Sequence, residues 1–364
     1  MASRLTNLME KLKNIDADSM LVTSKANFFY LSNYYTEPHE RVIAAFISKK
    51  TDPVILVPEM EVEDAKASGW EHKIISYHDH ENPWQLLLEY VRKTESIPQS
   101  LAIEKNHITL DRFYSIQEVF PYTEFLDAKE ILADLRVIKS KEEHRLLKKA
   151  AALADYGIEI GVKAIREGVS ELEIIANIEY EIKKQGVQEM SFSTMVLSGT
   201  KTASPHGTPS TQKINPGDLI LFDLGVVYEG YCSDITRTVA FQSISDEQRR
   251  IYETVLEAER EAIKHAVIGK PVGEMDQTAR GIITANGYGE YFTHRIGHGL
   301  GIETHEYPSV TSKNSLPLQA GMSFTIEPGV YIPNLGGVRI EDMIFTSENG
   351  PKVLTKYPKE LQII

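Results

Sequence analysis

The chain has 364 residues, 42% of them hydrophobic and 25% charged, which calls for two domains and for a globular rather than a disordered chain. Its formal net charge of -13 argues against a nucleic-acid partner and against binding to an anionic membrane surface. The single cysteine, Cys232, excludes a disulfide within the chain and a thiolate metal cluster, which fits a reducing compartment. The first residues run directly into an amphipathic segment with Lys11 and Lys13, and no apolar run of about 18 residues occurs. A cytoplasmic protein without a membrane segment is expected.

Short apolar runs at Met20–Thr23, Val42–Ser48, Pro53–Val57 and Lys73–Ser76 read as strands. Helical spacing follows at Glu59–Ser68 and Trp84–Lys93, then a strand at Ser100–Glu104 and a helix at Leu110–Val119. Together these predict an α/β domain over residues 1–134. It has no Gly-rich phosphate loop, so no nucleotide site is read there.

A second domain is expected over residues 135–364, opening with a long helix from Lys139 to about Glu167. Its pattern occurs twice. A long helix, Gly168, the helix Glu171–Lys184, Gly186 and strands make the first half. The helix Asp246–Ile268, Gly269, the helix Glu274–Ala285, Gly287 and strands make the second. The stretch from Pro216 to Gly225 lies on that from Ala320 to Gly329 without a gap, matching both glycines and placing Asp223 on Glu327. His206 likewise lies on His305. An internal duplication explains this register.

The chemistry sits in two acidic hairpins. Apolar runs on either side of Glu229-Gly230 form the first. A turn centred between Tyr228 and Glu229 sets Asp223 directly opposite Asp234; a shift of one residue makes them diagonal neighbours. In the second half a turn near Asn334 sets Glu327 opposite Glu341. Four carboxylates among apolar neighbours repel one another at a cost of several kcal/mol unless cations sit between them. Four carboxylates and the imidazole of His298, flanked by Gly297 and Gly299, match two divalent cations in charge and donor type. The plainer reading is a salt-bridge network with Arg237 and Arg339. Glu229 belongs to a turn, and Asp342 is expected on the face opposite Glu341.

The order Asp223, Asp234, His298, Glu327, Glu341 resembles the five-ligand pattern of the pita-bread metallopeptidases. The segments Leu-Phe-Asp-Leu-Gly, Gly-His-Gly-Leu-Gly, Glu-Pro-Gly and Arg-Ile-Glu-Asp strengthen the likeness. The N-terminal part resembles that of the prolidase and aminopeptidase P group. This resemblance implies a creatinase/prolidase-like α/β N-terminal domain and an α+β pita-bread catalytic domain with internal duplication. It also implies two divalent metal ions, Mn²⁺ first, with Co²⁺, Zn²⁺ or Fe²⁺ as alternatives. Asp223 would chelate one ion, Asp234 and Glu341 would bridge both, and His298 and Glu327 would complete the second.

The activity so implied is hydrolysis of the bond before proline in Xaa-Pro dipeptides by a metal-bridging hydroxide, with Glu327 as general base. The alternative is aminopeptidase P-type cleavage of longer Xaa-Pro peptides. A metal-free amidinohydrolase of the creatinase type or a catalytically silent binding protein fits less well, because all five ligand types are present. His206 and His305 resemble the histidines that flank substrate and assist proton transfer. His294 and Arg339 match positions beside the leaving group and the bridging carboxylate. Arg295 is a candidate for a dipeptide's terminal carboxylate. The resemblance further implies a homodimer, in which His39 and Arg41 of one copy close the pocket of the other.

Overall fold

The computed structural model describes residues 2–94 and 97–364. Two compact units divide the chain, Met1–Arg136 and Val137–Ile364. In the first, the strands are β1 (Ser19–Val22), β2 (Ala44–Ser48), β3 (Val54–Pro58), β4 (Lys73–Tyr77), β5 (Ser100–Ile103) and β6 (Glu124–Asp127). They form a mixed sheet in the order β4-β3-β2-β1-β5-β6. β1, β2, β3 and β5 are buried on both faces, which is why they read as continuous apolar runs rather than alternating ones. The helices are α1 (Ala2–Lys13), α2 (Lys25–Ser32), α3 (Val62–Ala67), α4 (Pro83–Thr94), α5 (Leu110–Val119) and α6 (Lys129–Arg136). The sequence reading passes over α2, whose residues Ala26 and Phe28–Ser32 are all buried. A helix enclosed on every side has no amphipathic stripe to detect.

The second unit contains the repeated pattern. Its first half runs α7 (Lys141–Lys163), α8 (Glu171–Lys184), β7 (Glu189–Met190), β8 (Met195–Ser198), β9 (Leu219–Leu224), β10 (Val226–Tyr228), β11 (Tyr231–Cys232) and β12 (Ile235–Ala240). The second half runs α9 (Asp246–Lys264), α10 (Gly273–Ala285), β13 (Gly297–Gly299), β14 (Glu306–Val310), β15 (Ser323–Ile326), β16 (Gly329–Ile332), β17 (Gly336–Arg339), β18 (Asp342–Ser347) and β19 (Gly350–Val353). Serine starts three of these helices. Ser140, Ser170 and Ser245 each close a capping box with Glu143, Glu173 and Gln248, satisfying N–H groups that the first turn leaves open. The first helix of each half is shorter than its periodicity suggests. Both end five residues before their glycine, at Lys163 before Gly168 and at Lys264 before Gly269.

Each half buries its own core. Phe222, Ile178 and Ile220 pack in the first, and Phe324, Ile283 and Ile344 in the second. The glycines matched in the repeat, Gly217 and Gly321, have φ of 89° and 92°, a turn conformation that a side chain would strain. Sheets β12-β9-β8 and β14-β13-β15-β18-β19 carry the two halves. An isolated antiparallel bridge, Thr236 to Glu341, joins them, with Glu341 N–H donating to Thr236 O at 3.1 Å.

Candidate metal centre

The first hairpin turns at Glu229, φ 47°, and Gly230, φ 81°. Its register pairs Asp223 with Thr236 and Leu224 with Ile235, so the diagonal arrangement is the one formed. Asp234 then lies two residues before Thr236, on the face that Asp223 shares. Gly225 permits this geometry, since a Cβ there would stand 1.8 Å from the carbonyl oxygen of Ser233. In the second hairpin Gly329 pairs with Arg339 and Ile326 with Asp342. That register turns about Asn334 and carries Glu327 and Glu341 opposite each other between the two paired stretches.

Asp223, Asp234, His298, Glu327 and Glu341 line one cavity of about 380 Å³, together with His206, His294, Arg295, His305, Arg339, Phe192, Pro205 and Thr304. Asp234, His298 and Glu341 are buried and each offers a ligand atom within 4.8 Å of the others. Nε2 of His298 stands 3.3 Å from Glu327 and 3.7 Å from Asp234. Its Nδ1 faces the carbonyl of Gly299 at 3.2 Å. A carbonyl only accepts, so Nδ1 carries a proton and Nε2 is the atom turned to the carboxylates. Thr236 Oγ1 donates to Glu341 at 2.7 Å.

Burial first, and then the neighbouring carboxylates, push Asp234 and Glu341 well above the ordinary carboxylate range. Burial also raises Asp223, against the pull of Arg339, whose Nη2 lies 2.5 Å away. Glu327 is the exception. Burial opposes its charge, but His298, His294 and Arg339 outweigh that and hold it below the ordinary range. Among the described residues, Asp223 Oδ1 and Glu341 Oε1 are buried without a hydrogen-bond partner. Unpaired carboxylate oxygens are costly to bury. The donor set therefore fits divalent cations, which would satisfy both oxygens and relieve the repulsion.

Arg339 anchors a chain of hydrogen bonds beside the carboxylates. It donates to Asp223, to Thr236 Oγ1 at 3.0 Å and to Tyr331 Oη at 2.9 Å. Tyr331 Oη lies 2.9 Å from His294 Nε2, and His294 Nδ1 lies 2.7 Å from the carbonyl of Arg295. That carbonyl fixes the proton on Nδ1, so the Tyr331 hydroxyl donates to Nε2. Tyr331 escaped the sequence reading. Strand parity was the available signal, because Tyr331 shares a face with Glu327 and sits opposite Gly337, which leaves room for its ring.

His305 packs against His298 with ring centroids 4.1 Å apart. The residue is exposed overall, yet desolvation of its ring, then the neighbouring His298 and Arg295, push its pKa down to about 4. His206, also exposed, lines the same cavity. Arg295 donates to Ser309 Oγ at 3.1 Å. Arg237 turns away from the carboxylate site to pair with Asp342 at 2.6 Å, so the salt-bridge network with both arginines does not form around the donors. His39 belongs to the first unit, exposed at φ 52°, and Arg41 pairs there with Asp79 at 2.9 Å.

This fold and this donor set agree with what the sequence matches. Residues 145–348 match metallopeptidase family M24, and residues 4–138 match the creatinase/prolidase N-terminal domain. The chain belongs to metallopeptidase family M24. Among its relatives, the Bacillus subtilis protein named "Putative dipeptidase YkvY" is 49% identical, and the alignment covers all of both chains. Two solved structures are similar throughout. The prolidase from Pyrococcus horikoshii OT3 has a TM-score of 0.91 at 36% identity, covering 99% of this chain and 100% of that one. The Xaa-Pro dipeptidase from Bacillus anthracis has a TM-score of 0.93 at 35% identity, covering 100% and 99%. Among the described residues, no helix is long and apolar enough to cross a membrane.

Proposed function

We propose that this metallopeptidase hydrolyses the peptide bond before proline in Xaa-Pro dipeptides, in the cytoplasm and as a homodimer. The observation that carries the reading is the convergence of five donors on one cavity, two of their oxygens buried and unpaired. The Xaa-Pro specificity is supported by the prolidase and the Xaa-Pro dipeptidase that the chain resembles over nearly its full length. Asp223, Asp234, His298, Glu327 and Glu341 would hold two divalent ions, Mn²⁺ foremost. Such ions supply Lewis acidity, polarising the scissile carbonyl and making water a nucleophile near neutral pH.

The protein's own groups manage the protons. Glu327, held charged by its neighbours, takes the proton of the attacking water. Proline's own nitrogen carries no hydrogen in the scissile bond and must gain a proton to leave, and Glu327 returns it there. His305, kept neutral, donates a hydrogen bond to the oxyanion that develops on the carbonyl. His206 holds the substrate from the other side. Tyr331 and Arg339 hold His294 beside the leaving group. Arg295, steadied by Ser309, binds the terminal carboxylate of proline. His39 of one copy would close the pocket of the other; unchanged dipeptide turnover in His39→Ala would remove that role.

The test is release of proline from Ala-Pro by metal-stripped protein, with and without Mn²⁺. Metal-dependent release with Ala-Pro-Ala left intact is expected. Cleavage of the tripeptide would transfer the protein to an aminopeptidase P-type activity. Failure of the stripped protein to bind any divalent ion would remove the metal assignment altogether.

A further inference from the structure

Behind the cavity lies a second set of charged groups that the reaction does not use. Arg237 is 1% exposed and is the largest fully buried side chain among the described residues. Side chains alternate along β12, so Thr236 faces the cavity and Arg237 faces away from it. All five guanidinium hydrogens find acceptors. Nη1 donates to the carbonyls of Thr236 at 2.9 Å and Glu341 at 2.6 Å. Nη2 donates to Asp342 at 2.6 Å and to the Tyr357 carbonyl at 2.8 Å, and Nε to that carbonyl at 3.1 Å. Arg237 thus grips both carbonyls of the bridge that joins the two halves.

Residues 355–364 hold this arrangement from behind as a strap. Thr355 Oγ1 donates to Asp342 at 2.7 Å. Lys359 pairs with Asp342 and reaches the buried Glu259 of α9 at 2.7 Å. The N–H groups of Lys356 and Tyr357 donate to Asp155 of α7 at 2.8 Å, and Ile364 N–H donates to Ala240 O at 2.9 Å. One segment is therefore tied to α7 and β12 of the first half and to α9 and β18 of the second.

We propose that Arg237, clamped by Asp342 and the 355–364 strap, is a positioning residue that fixes the Glu341 backbone and so sets the affinity of the site for divalent ions. The proposal rests on the metal-site reading above. Glu341 meets its counterparts from the first hairpin across a single bridge, and rotation of its peptide plane would swing the carboxylate away from Asp234. A planar fork with five donors holds that plane; an ammonium with three donors on a flexible stem cannot reproduce it.

The experiment compares stripped parent, Arg237→Lys and Lys359→Met by calorimetric titration with Mn²⁺ and by the visible absorption of the Co²⁺-loaded forms. Outer partners of metal ligands typically change affinity roughly 10- to 100-fold. Arg237→Lys is expected to weaken Mn²⁺ binding by that factor and to alter the Co²⁺ bands. Lys359→Met should do the same by a smaller factor, with circular dichroism unchanged. Variants that melt earlier yet keep parental affinity and Co²⁺ spectrum would show that the cluster only stabilises the fold. If Arg237→Lys does not fold, Lys359→Met decides alone, and parental affinity in it overturns the proposal. A parent that binds neither ion overturns the metal-site reading and this proposal together.

Discussion

Gly225→Ala is the sharpest steric test of how the site is built. A Cβ at this position would lie 1.8 Å from Ser233 O and 2.7 Å from Ser233 C, and real Cβ atoms do not come within 3.0 Å. The two backbones must part by at least 3.0 minus 1.8, or 1.2 Å. That separation breaks the bonds that tie the strands here, Ser233 N–H to Val226 O and Val226 N–H to Ser233 Oγ, both 2.9 Å. Overpacking costs about 1–3 kcal/mol and each lost hydrogen bond about 1 kcal/mol, so a loss of about 3 kcal/mol or more is expected. For a unit spanning residues 137–364 that lowers the melting temperature by roughly 6–12 °C. The same opening displaces Asp234 from Asp223, so metal affinity should fall as well. Gly281 supplies the control. On α10 its added Cβ would meet nothing within 4 Å, and Gly281→Ala should stabilise by about 0.5–1 kcal/mol. Calorimetric melts of the stripped proteins read both changes. A Gly225→Ala variant melting within about 2 °C of the parent would refute the close-approach argument.

Arg295→Met should raise KM for Ala-Pro roughly 10- to 100-fold with a smaller change in kcat, the value of one charge-assisted contact; an unchanged KM would exclude Arg295 as the carboxylate anchor. Cys232 is 5% exposed and burial pushes its thiol up to about 11, so a thiol reagent at about pH 8 should label it only after unfolding. Rapid labelling of the native protein would contradict that. His144 stacks on Phe345 at 3.8 Å, and burial, then Lys352 and Lys148, lower its pKa from 6.5. The unfolded chain therefore binds this proton more readily, and the stability present above about pH 6.5 is lost as the pH falls. His144→Phe should shrink the difference between melting temperatures at about pH 8 and about pH 5, and an unchanged difference would remove His144 as a contributor.

Much of the site was legible before the fold. Each acidic hairpin announces itself locally, because a two-residue turn such as Glu229-Gly230 between apolar runs carries a period-2 pattern readable within about ten residues. The gapless match of Pro216–Gly225 on Ala320–Gly329 pointed to a second copy of the first hairpin's arrangement, and Gly217 and Gly321 keep the same left-handed turn. Two points stayed open or unseen. The choice between a direct and a diagonal Asp223–Asp234 pair depends on which residues of the turn adopt positive φ, here Glu229 and Gly230. Tyr331 looked like an ordinary strand tyrosine, since the partners of its hydroxyl are Arg339 on β17 and His294 in the loop before β13.

The sequence by itself determined the candidate donors, their order and the grouping of the four carboxylates into two hairpins, because alternation and turn chemistry act over a few residues. Only the tertiary structure decided how the hairpins combine. Thr236 meets Glu341 across a separation of 105 residues, a contact to which neither local pattern refers. It also decided which arginine enters the cavity. Arg237 and Arg339 both flank acidic residues, but Arg339 turns to Asp223 and Arg237 to Asp342. The physical reason is that a strand's two faces are equivalent until another layer packs on one of them, and the packing of the two halves supplies that layer.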